Sequence, residues 1–265
     1  SQMAIQLLPR LRRAGKVGVL SPCYAEHAEA WRRNGYIVRE VVEQEVDFFI
    51  DNLDVLVVVN PNNPTGLCIA PTRLLEWHSR LAQRGGWLVV DEAFMDNTPQ
   101  LSLAPHAHQV GLIVLRSFGK FFGLAGVRLG FVLAERKLLK LLAEQVGPWA
   151  VSGPTRVLGQ ACLQDTEGHT RQRIRSDEAS ERLADLNDAF DDPIHRAAVE
   201  SGRRSRCRRD PVAAASSSSS PSWACSTRRR CTATSCASGS RANSKRLAGW
   251  LRDCTPLRRC HRPAR

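Results

Sequence analysis

Short apolar runs alternate along this chain with stretches in which apolar positions recur every three or four residues. The runs KVGVLSP (16–22), YIVREVV (36–42), DVLVVVN (54–60), WLVVDEAF (87–94), GLIVLRS (111–117) and RLGFVLA (128–134) have the length and β-branched content of strands. DVLVVVN is apolar without a break, as expected of a strand covered on both faces. Between them, MAIQLLPRLRRAG, YAEHAEAWRRNG and TRLLEWHSRLAQRGG read as helices. The first is interrupted by Pro9, and the other two are closed by glycine. From Glu135 onward the pattern is helical: ERKLLKLLAEQ, PTRVLGQACLQD and then HTRQRIRSDEASERLADL, which is long and charged. Strands alternating with helices predict an α/β fold, a mostly parallel sheet with helices on both faces.

After about Leu186 this patterning stops. Residues 187–265 hold 17 Lys+Arg against 6 Asp+Glu, and arginine outnumbers lysine sixteen to one. The formal net charge of +12 therefore belongs to this tail, because residues 1–186 carry 21 basic and 20 acidic side chains. A segment so poor in apolar residues buries too little surface to offset the entropy of ordering it. We therefore expect two parts, a body over 1–186 and a basic, disordered Arg/Ser/Cys-rich tail over 187–265. The cysteines divide the same way. Cys23, Cys68 and Cys162 lie in the body, widely spaced, and fit buried thiols of a reducing cytoplasm. The six tail cysteines form no CxxC pair and have no matching histidine spacing, which argues against a zinc site. No apolar run approaches the roughly 20 residues of a membrane span.

Candidate chemistry gathers where the strand patterns end. NPNNPTG (60–66) follows DVLVVV, DEAF (91–94) follows WLVV, and SFGK (117–120) follows the GLIVLR run. Arg128 comes eight residues after Lys120, within a stretch carrying Gly119, Gly123, Gly126 and Gly130, where the backbone bends around something. In this order the asparagine, aspartate, Ser-x-x-Lys and arginine resemble the pyridoxal-phosphate (PLP) constellation of fold-type I aminotransferases. The likeness covers roughly residues 1–186. The fuller stretches RSFGKFFGLAGVRLGFVLA, DEAF and GPWAVSGP are most similar to the threonine-phosphate decarboxylase branch of that superfamily, with the histidinol-phosphate aminotransferases next.

The resemblance implies roles residue by residue. Lys120 matches the lysine that holds the cofactor aldehyde as an imine and then serves as base or acid. Asp91 matches the carboxylate that keeps the pyridine nitrogen protonated. Asn63 matches the hydrogen-bond donor to the cofactor's phenolic oxygen, whereas Asn60 and Asn62 fit turn chemistry. Ser117 and Arg128 match the hydroxyl and guanidinium that bind the cofactor phosphate. Ser1, with Gln2, resembles the end of the phosphate-binding loop. Tyr24 occupies the place of the aromatic stacked on the pyridine face. Phe94 stands where most of these aminotransferases carry tyrosine, a departure that fits a decarboxylase better than a transaminase. His27, His78, His106, His108 and Glu92 receive no role.

The resemblance also implies parts this sequence does not supply. Family members carry an N-terminal arm and a first stretch of the large domain before the position of residue 1. Their substrate-carboxylate arginine comes from a small C-terminal domain. The tail is expected to be the out-of-frame translation of a GC-rich gene, shifted near residues 186–187. The alternative is a genuine Arg/Ser-rich tail that binds nucleic acid or other polyanions non-specifically through phosphates. The implied function is decarboxylation of L-threonine O-3-phosphate to (R)-1-amino-2-propanol O-2-phosphate, in cobalamin biosynthesis, by a cytoplasmic homodimer. This chain is expected to be weakly active or inactive. The alternatives are an aminotransferase of the histidinol-phosphate type and a non-enzymatic remnant.

Overall fold

The computed structural model describes residues 1–189. The tail expected over 187–265 lies, from residue 190 on, outside the described residues. Six strands form one sheet: β1 (Lys16–Leu20), β2 (Ile37–Val41), β3 (Val55–Val59), β4 (Trp87–Asp91), β5 (Leu112–Ser117) and β6 (Gly130–Leu133). Their order is β2-β1-β3-β4-β5-β6. The first five are parallel, and β6 joins β5 antiparallel, with Arg116 opposite Phe131 and Ser117 opposite Gly130.

The core divides by the period-two alternation of the strands. On one face Leu56, Val58, Leu88, Val90, Leu112 and Val114 pack under α4 (Pro71–Ala82), through Leu74, Trp77 and Leu81. On the other face Val17, Val19, Val55, Val57, Val89, Ile113 and Leu115 meet α1 (Gln2–Leu7), α2 (Glu26–Arg33) and α6 (Arg136–Val146), through Ile5, Trp31 and Leu138. Every residue of β3 is buried, as expected of the strand covered on both faces. Pro9 ends regular helix after Leu7, and the chain continues as a 3-10 turn over Leu8–Leu11. Gly35, at φ +81°, closes α2 in the left-handed conformation that side-chain-bearing residues avoid.

Between β2 and β3 the chain makes a crossover built on α3 (Val46–Phe49), flanked by 3-10 turns, with Val46 and Ile50 fully buried. After β5 come α5 (Phe118–Phe121), α6, α7 (Gly153–Gln164) and α8 (Thr166–Ala189). The thiol expectation needs correction. Cys23 and Cys162 carry free thiols but are half-buried, outside the core, and Cys68 is in a disulfide. Burial still pushes the Cys23 thiol up to about 11, with Glu40 and Asp91 adding to the rise. Among the described residues no helix is long and apolar enough to cross a membrane, and no group of acidic, histidine or cysteine side chains could hold a metal.

Candidate active site

In a parallel sheet the carboxyl ends of the strands open on one rim, and ligands bind there where the strand order reverses. Here the order reverses between β1 and β3. Tyr24 follows β1, Asn63 follows β3, Asp91 ends β4, Ser117 ends β5, and Lys120 lies in α5, which follows at once. These residues line one cavity of about 560 Å³, together with Arg128 and Ser1. All seven residues singled out in the sequence are thus brought together from five places along the chain. The volume falls in the range of small-molecule and cofactor sites, ~300–1,000 Å³.

The rim turns are fixed before any ligand arrives. Asn60 is fully buried and bonds both ways to Ile69, accepting from its N–H at 2.8 Å and donating to its carbonyl at 3.1 Å. Asn62 donates from Nδ2 to the Thr65 hydroxyl at 2.6 Å and to the Pro22 carbonyl at 2.8 Å. That second bond ties the turn after β3 to the loop that carries Tyr24. Asn60 and Asn62 thus have the turn role, which leaves Asn63 exposed on the cavity wall.

Asp91 is 4% exposed and doubly held. Its Oδ1 accepts from the Ala93 N–H at 3.1 Å, and its Oδ2 lies 2.9 Å from Nε2 of His27. His27 is itself 1% exposed, on the buried side of α2, and meets the Tyr24 ring edge-on at 6.2 Å. Sequence reasoning gave His27 no role. One helical turn separates it from Tyr24, and that spacing was the available signal, but its partner lies 64 residues away. The Tyr24 hydroxyl donates to Oε1 of Gln2 at 3.3 Å, and Gln2 and Gln6 donate to Glu26, so the start of α1 is joined to the start of α2.

Glu92 was also passed over. It is fully buried and accepts from Ser102 Oγ at 2.5 Å, from the Leu103 N–H at 2.6 Å and from Arg116 Nη1 at 3.1 Å. Burial pushes its carboxyl above the ordinary glutamate value, and these donors oppose the rise. Arg116 also pairs with Asp96 at 2.5 Å. The pair of bridges clamps the turn after β4 against the end of β5, which sets Asp91 beside the start of α5, where Lys120 lies. The Lys120 ammonium sits 5.6 Å from the centre of the Phe94 ring, within reach of a cation–π contact.

Arg128 has left-handed backbone, φ +56°, a conformation uncommon for a residue bearing a Cβ. Its guanidinium makes one hydrogen bond among the described residues, to the Ala125 carbonyl at 3.3 Å. The remaining N–H groups are available to an anion, and Ser117 supplies a hydroxyl on the same wall. One amine, one buried carboxylate, one guanidinium, hydroxyls and an exposed aromatic ring form a donor set that fits a small anionic aromatic aldehyde.

The model of the aminotransferase class I and II family matches residues 1–200. A threonine-phosphate decarboxylase of Pseudomonas aeruginosa is 64% identical over 186 residues, covering 70% of this chain and 56% of that protein. One from Sinorhizobium sp is 49% identical over 166 residues, covering 62% of this chain and 49% of that protein. The chain spans about half the length of these curated relatives. The crystal structure of histidinol-phosphate aminotransferase from Clostridium acetobutylicum superposes with a TM-score of 0.63 at 20% identity, over 70% of this chain and 59% of that one. At that identity the likeness is one of fold. Fold and family model agree, and the chain belongs to the aminotransferase class I and II family.

Proposed function

We propose that this chain binds PLP in the cavity on the sheet rim and acts as a threonine-phosphate decarboxylase, removing carbon dioxide from L-threonine O-3-phosphate to leave (R)-1-amino-2-propanol O-2-phosphate. The observation that carries the reading is the convergence of Lys120, Asp91, Asn63, Tyr24, Ser117, Arg128 and Ser1 on one cavity. The 64% identity to a threonine-phosphate decarboxylase supports the choice of substrate.

When bound, the cofactor supplies an electron-withdrawing ring that takes up the pair released as a bond at the substrate α-carbon breaks. Asp91, held by His27 and the Ala93 N–H, would keep a proton on the pyridine nitrogen. Lys120 would anchor the cofactor through its ε-amino group and would later deliver a proton to the α-carbon. Arg128, Ser117 and Ser1 would hold the cofactor phosphate, Asn63 would donate to its phenolic oxygen, and Tyr24 would cover the ring. Phe94 offers no hydroxyl beside Asn63.

Among the described residues Arg128 is the single arginine on the cavity wall, and it would be taken up by the cofactor phosphate. The substrate brings a carboxylate and a second phosphate, for which this wall holds no further guanidinium. Turnover by this chain is accordingly expected to be slow. A second copy of the chain is part of the proposal. Trp149 is 96% exposed beside Ala150 and Val151, which line the cavity, so an apolar surface borders the site.

The test is product analysis after incubating the purified chain with PLP and L-threonine O-3-phosphate. Slow release of carbon dioxide and the aminopropanol phosphate in equal amounts is expected, lost in Asp91→Asn. A keto product from the substrate, formed with an added amino-group acceptor, would instead establish the aminotransferase reading, and fast turnover would contradict the expectation drawn from the one arginine on the described cavity wall.

A further inference from the structure

Lys120 is exposed, so its own surroundings do not fix its amine; what is fixed is the short helix that carries it. That helix, α5, has four residues, far fewer than a helix needs to hold its shape unaided. Phenylalanines anchor it. Phe118 and Phe121 are buried, and the Phe122 ring stacks on Phe118 at 4.4 Å and meets Phe121 edge-on at 5.2 Å. The outer side of this cluster is closed by α8. His169 presents its ring to Phe121 at 5.9 Å and to Phe122 at 5.4 Å, and Arg173 reaches the Phe121 ring at 5.9 Å. One helical turn separates His169 from Arg173, which places both on one face of α8.

Each makes a second contact that sets its direction. His169 donates from Nε2 to the Cys162 carbonyl at 2.7 Å. That carbonyl lies in the last turn of α7, where helix geometry leaves acceptors without a partner. Arg173 donates from Nε to the Asp96 carbonyl at 2.9 Å. Asp96 lies in the turn after β4 that also carries Phe94, whose ring centre is 5.6 Å from the Lys120 ammonium. The same face of α8 thus holds the aromatic cluster of α5 and the turn against which Lys120 rests. We propose that His169 and Arg173 are positioning residues for Lys120, and that the docking of α8 sets how the ε-amino group reaches the cofactor aldehyde. The inference rests on the reading of Lys120 given above. Neither residue is among those that line the rim cavity, so neither acts on cofactor or substrate directly.

The experiment compares two ligands on the full chain. Pyridoxine 5'-phosphate has the ring and phosphate of PLP but an alcohol in place of the aldehyde, so it cannot bond to Lys120. Binding of PLP is followed by the Lys120-dependent absorbance band, and binding of pyridoxine phosphate by calorimetry. In His169→Ala and in Arg173→Ala the affinity for PLP should fall about ten-fold, the order expected for lost ring and cation–π contacts. Pyridoxine phosphate should bind both variants as it binds the unaltered chain. His169→Phe, which keeps a ring against Phe121 and Phe122, should retain most of the PLP affinity, and Arg175→Ala, at an exposed position of α8, all of it. Arg173→Ala carries the expectation alone where His169→Ala does not fold. Equal weakening of both ligands would show that α8 merely props the cavity wall, and unchanged PLP affinity would show that Lys120 is placed without α8. Either result overturns the inference and leaves the cofactor reading standing. Absence of any Lys120-dependent band in the unaltered chain overturns the cofactor reading and the inference with it.

Discussion

Asp91 is the buried carboxylate on the wall of the rim cavity, and its orientation depends on His27. Both side chains are almost wholly buried, at 6% and 2% exposure, and they meet at 2.9 Å. His27→Ala removes the partner and leaves a buried carboxylate oxygen unsatisfied. Hydrogen bonds to charged groups are worth about 1.5–3 kcal/mol, so we expect a loss of that order in chemical denaturation, together with weaker PLP uptake. Unchanged stability would mean that Asp91 finds another donor. Sequence reading singled out Asp91 and Lys120, which line the rim cavity, because each sits in a contiguous motif at the end of an apolar run. It could not find His27 or Glu92, whose partners come from other strands and helices. Nothing in YAEHAEAW says that its histidine will face a carboxylate 64 residues on.

Among the elements, α4 is the one whose burial was most plainly written. Leu74, Trp77 and Leu81 recur at helical spacing, and all three are fully buried against the sheet. Trp77 also donates from its indole nitrogen to Asp47 at 3.2 Å. Trp77→Ala should cost about 3–5 kcal/mol, read from the urea midpoint, because the sheet cannot close over the space. The crossover between β2 and β3 was not legible. It has two buried anchors, Val46 and Ile50, and is broken into three short helical pieces, so no periodicity accumulates. Nor did pattern alone show that β6 runs antiparallel, because alternation is the same in either direction. That reversal matters, because the turn leading into β6 carries Arg128 to the rim.

At the scale of the whole molecule, the order of strands and helices, the crossover between β2 and β3 apart, was legible over residues 1–186, while the reading of the tail lies almost wholly outside the described residues. A surface network ties the crossover to α4: Arg73 and Arg80 both engage Asp47, and Arg80 and Arg84 engage Asp51. Hydrogen bonding from Arg73 holds the Asp47 carboxyl below its ordinary value. A depressed carboxylate contributes stability that is fully present above its unfolded value, about 3.9, and is lost as pH falls through its folded value. Asp47→Asn should therefore lower the melting temperature near neutral pH, and the gap from the unaltered chain should close as the solution is acidified. A gap constant down to pH 2 would show that the ion pair is not what the substitution removes.

The central claim is that the rim cavity is a PLP site built on Lys120. It is tested most directly by the absorbance spectrum of the purified chain with added PLP, recorded beside that of Lys120→Ala. The account predicts a new band in the unaltered chain, stable to gel filtration and absent from the variant. No band, or one of equal strength in Lys120→Ala, would contradict it.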